Sequence, residues 1–435
     1  MLLYTTPFRL TMLDIAYVRE NQDAVRKNLE RRQDPEKLQL LDNALALDVE
    51  WRKMKTILDL LRQKRNQSSK SINEARKKGD DIAPLLAEAK TLPDQIRKAE
   101  EDEQQLQERL RTLMMRIPNL LHDSVPYGED ESGNVVVKTW GEPRKDAPAL
   151  PHGELLVSLG LADFDKAAEV AGQGFNYLFG DMALLNLSLQ RFALDKLQAK
   201  GFCPVMPPYM LRRKPYEGVT DLADFETMMY KIDGEDLHLI ATSEHPIAAL
   251  LMGEVLKDKA LPVLYAGVSP CFRKELGSHG VDEKGIFRVH IFQKIEQFVF
   301  CRPEESWEWH EKILANAEEL FRELELPYRV VNICTGDIGI VAAKKYDLEV
   351  WMPREQQYKE AVSCSNCTGY QAVRLNIKYH AKEERKHVHT LNSTAIAVQR
   401  AMRAIVENHA QPDGTIRVPQ ALVPYMGKDV IGKRS

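Results

Sequence analysis

The chain has 435 residues, 44% of them hydrophobic and 29% charged, with 60 basic against 64 acidic side chains and a formal charge of −4. This length and balance allow two or three domains around a sizeable core, and they exclude a disordered or collagen-like chain and one that coats nucleic acid through bulk charge. No stretch approaches the ~18 uninterrupted apolar residues of a membrane span, and Met1–Thr11 lacks the apolar run and cleavage site of a secretory signal.

Six cysteines are too few for a disulfide scaffold, so the expectation is free thiols in a reducing, cytoplasmic compartment. Charge is uneven along the chain. Residues 1–118 carry 23 Lys/Arg against 20 Asp/Glu, and from Lys53 to Lys78 nine basic residues meet only Asp59 and Glu74. Glu36–Lys78 contains no Gly or Pro and reads as one long helix. Its apolar seam follows a 4-3 alternation through Leu47, Trp51, Met54, Leu58, Leu61, Arg65, Ser68, Ile72 and Ala75. A second seam runs through Ala89, Leu92, Ile96, Ala99, Glu103, Leu106, Leu110, Leu113 and Ile117. Such spacing is that of a left-handed coiled coil. Gly79-Asp80-Asp81 supplies the turn, so the two legs form an antiparallel hairpin over about 47–117, roughly 48 Å long at 1.5 Å per residue. Folding about that turn predicts a partly buried Arg65–Glu103 pair that fixes register, and Pro93 predicts a kink in the second leg.

Read plainly, a polar coiled coil is solvated structure or a dimer zipper. The outer faces of the first leg, however, carry Lys53, Lys55, Arg62, Lys64, Lys70, Arg76, Lys77 and Lys78 with almost no compensating acid. A projecting rod with one basic leg suits a phosphate backbone, and without interleaved aromatics it reads RNA shape rather than stacking on bases. Ile117-Pro118-Asn119 ends the hairpin, which sets residues 1–118 apart as a helical domain from 119–435.

Pro126–Pro151 reads as a linker, and alternating helix and strand patterns follow it. Phe192–Lys200, Glu304–Leu324 and Ala395–Asn408 read as helices, the second with a Trp/His-rich face of Trp307, Trp309 and His310 assigned to packing. Phe202–Val205, Leu237–Ala241, Val263–Val268, Phe287–Lys294, Glu296–Phe300, Tyr328–Cys334, Leu348–Met352 and Gln371–Lys378 read as extended, with Phe287–Phe300 as a hairpin-like pair in an antiparallel sheet. Neither GxxxxGK[ST] nor GxGxxG occurs, so a bound nucleotide would have its phosphates held by arginine.

Three clusters answer that requirement. Phe272-Arg273-Lys274-Glu275 leads through a loop with Gly277, Gly280 and Gly285 to a segment in which Arg288, His290, Phe292, Lys294 and Glu296 alternate onto one strand face. That row is too polar for a core and too aromatic for an ordinary wet surface; the plain alternative is an exposed strand with cross-strand salt bridges. Thr390-Leu391-Asn392-Ser393-Thr394 runs into the helix bearing Arg400, and Glu360-Ala361-Val362-Ser363-Cys364-Ser365-Asn366-Cys367 forms the third cluster.

On these residues the sequence resembles the seryl-tRNA synthetase family, of the common type, within the class II aminoacyl-tRNA synthetases. Phe272–Glu275 with Phe287–Glu296 resembles the class's motif 2, and Thr390–Arg400 with Val418-Pro419-Gln420 its motif 3. Gly201–Pro208 resembles motif 1, with Pro208 as the class proline at the dimer interface, and Thr242-Ser243-Glu244 the family's Thr-x-Glu serine loop. The likeness runs from Met12-Leu13-Asp14 through the hairpin to the C-terminal motifs; the first 11 residues precede the family's usual start. It departs where Val373 stands beside Arg374 in place of a second arginine, and at Gln399, where a small hydroxyl residue or proline is common.

The resemblance implies an α+β fold: an N-terminal helical hairpin and a class II catalytic domain with a mainly antiparallel sheet flanked by helices. It implies an ATP-dependent ligase that activates L-serine to seryl-adenylate and transfers it to the 3′ end of tRNA(Ser), and of tRNA(Sec) where present. By that resemblance Arg273 bridges the α-phosphate and the serine carboxylate, and Arg400 holds the γ-phosphate. Phe292 stacks on adenine, with Glu275, Arg288 and Val289 also facing the nucleotide, while Glu360 and Ser363 take Mg²⁺. Thr242, Ser243, Glu244, Glu296, Asn392 and Thr394 complete the serine pocket with Arg273. A homodimer is implied, with no membrane and no DNA as partner. Cys364, Cys367, His387 and His389 have zinc-ligand spacing, but a lone CxxC is a weak signal, so buried thiols are the preferred reading. Two other functions are compatible with such a resemblance: a relative that loads carrier proteins, disfavoured by the basic hairpin, and a non-catalytic RNA-binding relative, disfavoured by the intact Arg273, Glu275, Glu296, Glu360, Asn392 and Arg400.

Overall fold

The computed structural model describes residues 14–220, 227–275, 285–382 and 384–434; Met12, Leu13, Gly277 and Gly280, singled out above, lie outside the described residues. The chain divides into two compact units, Leu13–Pro118 and a larger one from Asn119 onward.

In the first unit, short helices Ile15–Glu20 and Gln22–Glu30 precede two long ones, Pro35–Lys78 and Ala83–Met114. Asp34 caps the first long helix by accepting the Glu36 N–H, and Pro35 sits where a helix needs no donor. Gly79 ends it in the left-handed conformation (φ +78°), with the Asp80 N–H returning to the Ala75 carbonyl, and Asp81 then accepts the Ala83 N–H at 2.9 Å. Every named seam position on both legs is buried or half-buried except Arg65. Leu58, Ile96 and Ala99 form the seam's centre, flanked by Met54 and Leu61. That register overturns the Arg65–Glu103 pair. Glu103 accepts from Trp51 Nε1 at 2.7 Å, because the turn places it level with Trp51, about four turns nearer the base than Arg65. The cross-leg ion pairs are instead Arg62–Glu100 (2.8 Å) and Lys64–Glu88 (2.7 Å). Pro93 lies on the exposed side, and one helix runs through it.

The second unit is built on an eight-stranded sheet. Its strands in chain order are β1 (Val135–Trp140), β2 (Cys203–Val205), β3 (Val263–Phe272), β4 (Ile291–Cys301), β5 (Tyr328–Asn332), β6 (Lys344–Met352), β7 (Gln357–Thr368) and β8 (His389–Ala397). Across the sheet the order is β1-β5-β6-β7-β8-β4-β3-β2, and all neighbours are antiparallel except β2 and β3. The helices Gly180–Ala199, Ser306–Glu323 and Val398–His409 bury one face, contributing to a single core with Ile295, Val299, Leu348, Val362 and Leu391. Because strand side chains alternate, the intervening residues Lys294, Glu296, Asp347, Ser363 and Asn392 go to the opposite face.

Several sequence expectations are corrected here. The linker-like stretch contains edge strand β1. Phe287–Phe300 is no hairpin: it enters one continuous strand, β4, paired with β3 and β8. The first half of Gln371–Lys378 belongs to the helix Tyr370–Arg374, and the C-terminal helix starts only at Val398. Phe192–Lys200 is the end of a 20-residue helix, whose first half was illegible because Leu184 and Leu187 interrupt its polar side and are exposed.

Candidate active site

The polar face of the sheet carries the site. On β4, Phe292, Lys294 and Glu296 share this face, while Arg288 and His290 precede the strand. Lys294 and Glu296 are both buried and meet at 2.8 Å, which removes the reading of a solvent-exposed strand with surface salt bridges. Thr394 Oγ1, opposite on β8, donates to Glu296 Oε2 at 3.2 Å. Glu244 opens the helix Glu244–Leu250, which settles closely on β3 at Gly267. A Cβ there would stand 2.6 Å from Ser243 Oγ and 2.5 Å from Ile247 Cδ1, so only glycine admits this approach. Ser243 is consequently buried under the loop, whereas Thr242 Oγ1 accepts the Glu244 N–H at 3.2 Å.

Glu244 Oε1 accepts from both Gln371 Nε2 and Asn392 Nδ2 at 2.9 Å. Burial and the neighbouring charge of Glu296 push its carboxyl up to about 7. Burial also raises Glu296, against the opposing pull of Lys294. Two carboxylates around one ammonium make this end of the face electrostatically suited to a second cation.

The other end is cationic. Arg273 follows β3, and its guanidinium lies 5.2 Å over the Phe292 ring, covering one aromatic face. Its Nε is buried with no hydrogen-bond partner among the described residues. Glu275 adopts φ +44°, uncommon for a residue with a side chain, and stands 3.8 Å from Arg288. Val289 is buried, so its side chain is not open to a ligand.

Arg400, in the first turn of the helix Val398–His409, donates to the Glu360 carbonyl at 2.8 Å and lies 3.3 Å from its carboxylate. The Phe287 ring is packed between Arg400 and Arg403, at 5.2 and 4.7 Å. Glu360 and Ser363 are three residues apart and would point oppositely on a regular strand. The pairing shifts between Leu348 and Glu349, so that Asp347 faces Ser363 and Glu349 faces Glu360. This bulge in β7 brings both oxygens to the same face. Although Glu360 is exposed at the surface of the face, the cost of desolvating its carboxylate among these neighbours is outweighed by the charges of Arg400, Lys345 and Arg273, which hold it below its ordinary value. Two arginines far apart in sequence thus act on one carboxylate.

Gln371, Lys345 and Asp347 were missed in the sequence. Lys345 and Asp347 pair at 3.0 Å on β6, and Asp347 Oδ1 is buried and unpartnered among the described residues. The Lys-Tyr-Asp alternation at 345–347 was the available signal. The zinc-spaced residues turn to separate partners: Cys364 Sγ to the His310 carbonyl, Cys367 Sγ to Asn392, His387 Nδ1 to the Ala372 carbonyl and His389 Nδ1 to Ser306 Oγ. Burial raises both thiols well above their ordinary range. On the hairpin, Lys53, Lys55, Arg62, Lys64, Lys70, Arg76, Lys77 and Lys78 are all exposed, with Arg62 and Lys64 engaged by the second leg and Lys55 over Trp51.

Residues 12–121 match the seryl-tRNA synthetase N-terminal domain, and residues 226–409 the class II tRNA synthetase core domain (G, H, P, S and T). The serine–tRNA ligase of Methanocella arvoryzae is 59% identical over 95% of this chain and 99% of its own. The chain belongs to the seryl-tRNA synthetase family. The serine–tRNA ligase of Pyrococcus horikoshii is 49% identical over 97% of this chain and 98% of its own. A crystal structure of seryl-tRNA synthetase from that organism, complexed with ATP, superposes with a TM-score of 0.90 at 48% identity, covering 98% of this chain and all of the other. The chain is thus a class II tRNA synthetase with a helical N-terminal domain, and no described helix is long and apolar enough to cross a membrane.

Proposed function

We propose that the polar sheet face condenses L-serine with ATP to seryl-adenylate and pyrophosphate, then passes the seryl group to the 3′ end of tRNA(Ser), and of tRNA(Sec) where the cell makes it. Adenylate formation is an in-line attack of a serine carboxylate oxygen on the α-phosphorus, with pyrophosphate leaving. The protein's task is then positioning and neutralisation of oxygen charge. Arg273 spans the serine carboxylate and the α-phosphate, a two-pronged task that a lysine cannot match. Arg400 takes the γ-phosphate, Phe292 stacks on adenine by its free face, and Glu275, Arg288 and the Val289 backbone meet the nucleotide. Glu244 and Glu296 receive the serine ammonium. Thr394 and Asn392 read its hydroxyl, so alanine would leave those polar groups unpaired.

Glu360 and Ser363 offer hard oxygen donors on one face, which fits Mg²⁺. Bound there, the ion would neutralise triphosphate charge. The observation that carries the reading is one polar sheet face that holds Arg400 at 3.3 Å from the Glu360 carboxylate, Arg273 over the Phe292 ring, and the carboxylates Glu296 and Glu244 held by Thr394 and Asn392. The arm's exposed basic leg supports tRNA over a carrier protein as acceptor. Exposed Leu184 and Leu187 on the helix before β2 support a homodimer.

Serine-dependent pyrophosphate exchange tests this across pH. Only the ionised Glu244 attracts an ammonium, and its carboxyl sits at about 7. The KM for serine is therefore flat above that pH and rises about tenfold per unit below it. Glu244→Gln removes the dependence and raises KM at pH 8 by at least ~30-fold. Because the folded state holds this proton more tightly than the unfolded chain, Glu244's contribution to stability is lost as pH rises through about 7. Glu244→Gln is therefore expected to be more stable, relative to the parent, at pH 8 than at pH 5. A serine KM independent of pH between 5.5 and 8 would contradict the ammonium assignment.

A further inference from the structure

His290 is not among the groups assigned above to substrate, yet it grips the backbone of Arg273 at both ends. The Arg273 N–H donates to the His290 carbonyl at 3.0 Å, and His290 Nδ1 lies 2.9 Å from the Arg273 carbonyl. A carbonyl can only accept, so as a hydrogen bond this contact has Nδ1 as its donor, and a hydroxyl at the same nitrogen then accepts as well. The Tyr230 hydroxyl lies 2.7 Å from the same nitrogen, and the charge of Glu275 also reaches Tyr230. Behind the ring, Phe175 stacks at 4.9 Å with planes 14° apart. The His290 N–H donates to the Gly174 carbonyl, and Gly174 itself has φ +77°. A Cβ at Gly174 would fall 2.6 Å from His290 Cδ2, so the imidazole fills the space that glycine leaves.

We infer that His290 is a positioning residue for adenylate formation: clamped by Gly174, Phe175 and Tyr230, its imidazole fixes the Arg273 backbone and so aims the guanidinium at the reacting phosphate. The inference rests on the assignment of Arg273 to that phosphate. Arg273 leaves β3 into a loop, and its Nε finds no protein partner among the described residues. Apart from the Phe292 ring, its direction is therefore set by the backbone from which it springs. A shift of about 1 Å at such a group costs up to ~100-fold in rate.

Pyrophosphate exchange by the full-length enzyme tests this with four variants. His290→Ala is expected to lower kcat ~30-fold while changing KM for ATP and serine by less than ~3-fold. His290→Asn puts an amide N–H near the place of Nδ1 and should recover kcat to within ~3-fold of the parent. Gly174→Ala, which touches no substrate group, should reproduce the kcat loss by displacing the ring. In the double variant Arg273→Ala/His290→Ala, the second change should add less than ~2-fold, since it acts through the first. An unchanged kcat in His290→Ala, a His290→Asn variant as impaired as His290→Ala, or additive losses in the double variant would each overturn the inference. If Arg273→Ala alone leaves exchange intact, it is the phosphate assignment that fails, independently of His290.

Discussion

An arm cut short by excising residues 62–94 and closed with a glycine-containing turn should leave serine-dependent pyrophosphate exchange within twofold of the parent, while kcat/KM for tRNA charging falls by ~10²-fold or more. The excised segment carries six of the eight exposed basic residues assigned to RNA (Arg62, Lys64, Lys70, Arg76, Lys77 and Lys78). It leaves the Trp51–Glu103 bond and the Leu58, Ile96 and Ala99 cluster of the seam. Each cation that neutralises a phosphate releases counterions, so affinity carried by such contacts falls steeply with salt. Charging by the parent should accordingly lose far more between 50 and 200 mM salt than charging by the shortened form. The two compact units divide the labour in this account, activation in one and RNA capture in the other. Equal loss of exchange and charging would contradict that division.

Arg273→Ala should lower exchange by ~10³-fold, and Arg273→Lys by ~10²-fold despite its conserved charge. Lysine keeps the positive charge and loses the planar fork that could bridge a carboxylate and a phosphate together. Its ammonium would also meet the Phe292 ring, which the guanidinium now covers at 5.2 Å. The loss should appear mainly in kcat, because oxygen charge grows on the way to the transition state. A lysine variant with near-parental kcat would mean that Arg273 supplies only a field.

Much of this was legible in the residues, for identifiable reasons. The hairpin declared itself because a 4-3 seam uninterrupted by Gly or Pro over 43 residues has few other solutions. Its pairing did not, since a seam with few large apolar side chains distinguishes poorly between registers several turns apart, and Arg65 lies exposed, about four turns from Glu103. On β4 the alternation of Phe292, Lys294 and Glu296 placed a cleft face directly. The three-residue spacing of Glu360 and Ser363 forbade a shared face on any regular strand. Only the bulge, a property of pairing with β6 and not of β7 alone, reconciles them. Gln371 escaped because it sits on a short helix read as a strand, yet it holds Glu244. His290 was seen as one member of a row, whereas its contacts are to the Arg273 backbone and to residues far away at Gly174 and Phe175.

The most direct test is a crystal structure with a non-hydrolysable seryl-adenylate analogue. The analogue's ammonium is expected within hydrogen-bond distance of Glu244 or Glu296, its hydroxyl on Thr394 or Asn392, and both prongs of Arg273 on the oxygens that bridge the acyl and adenosine moieties. An analogue seated elsewhere, or an Arg273 guanidinium turned away from those oxygens, would contradict that placement.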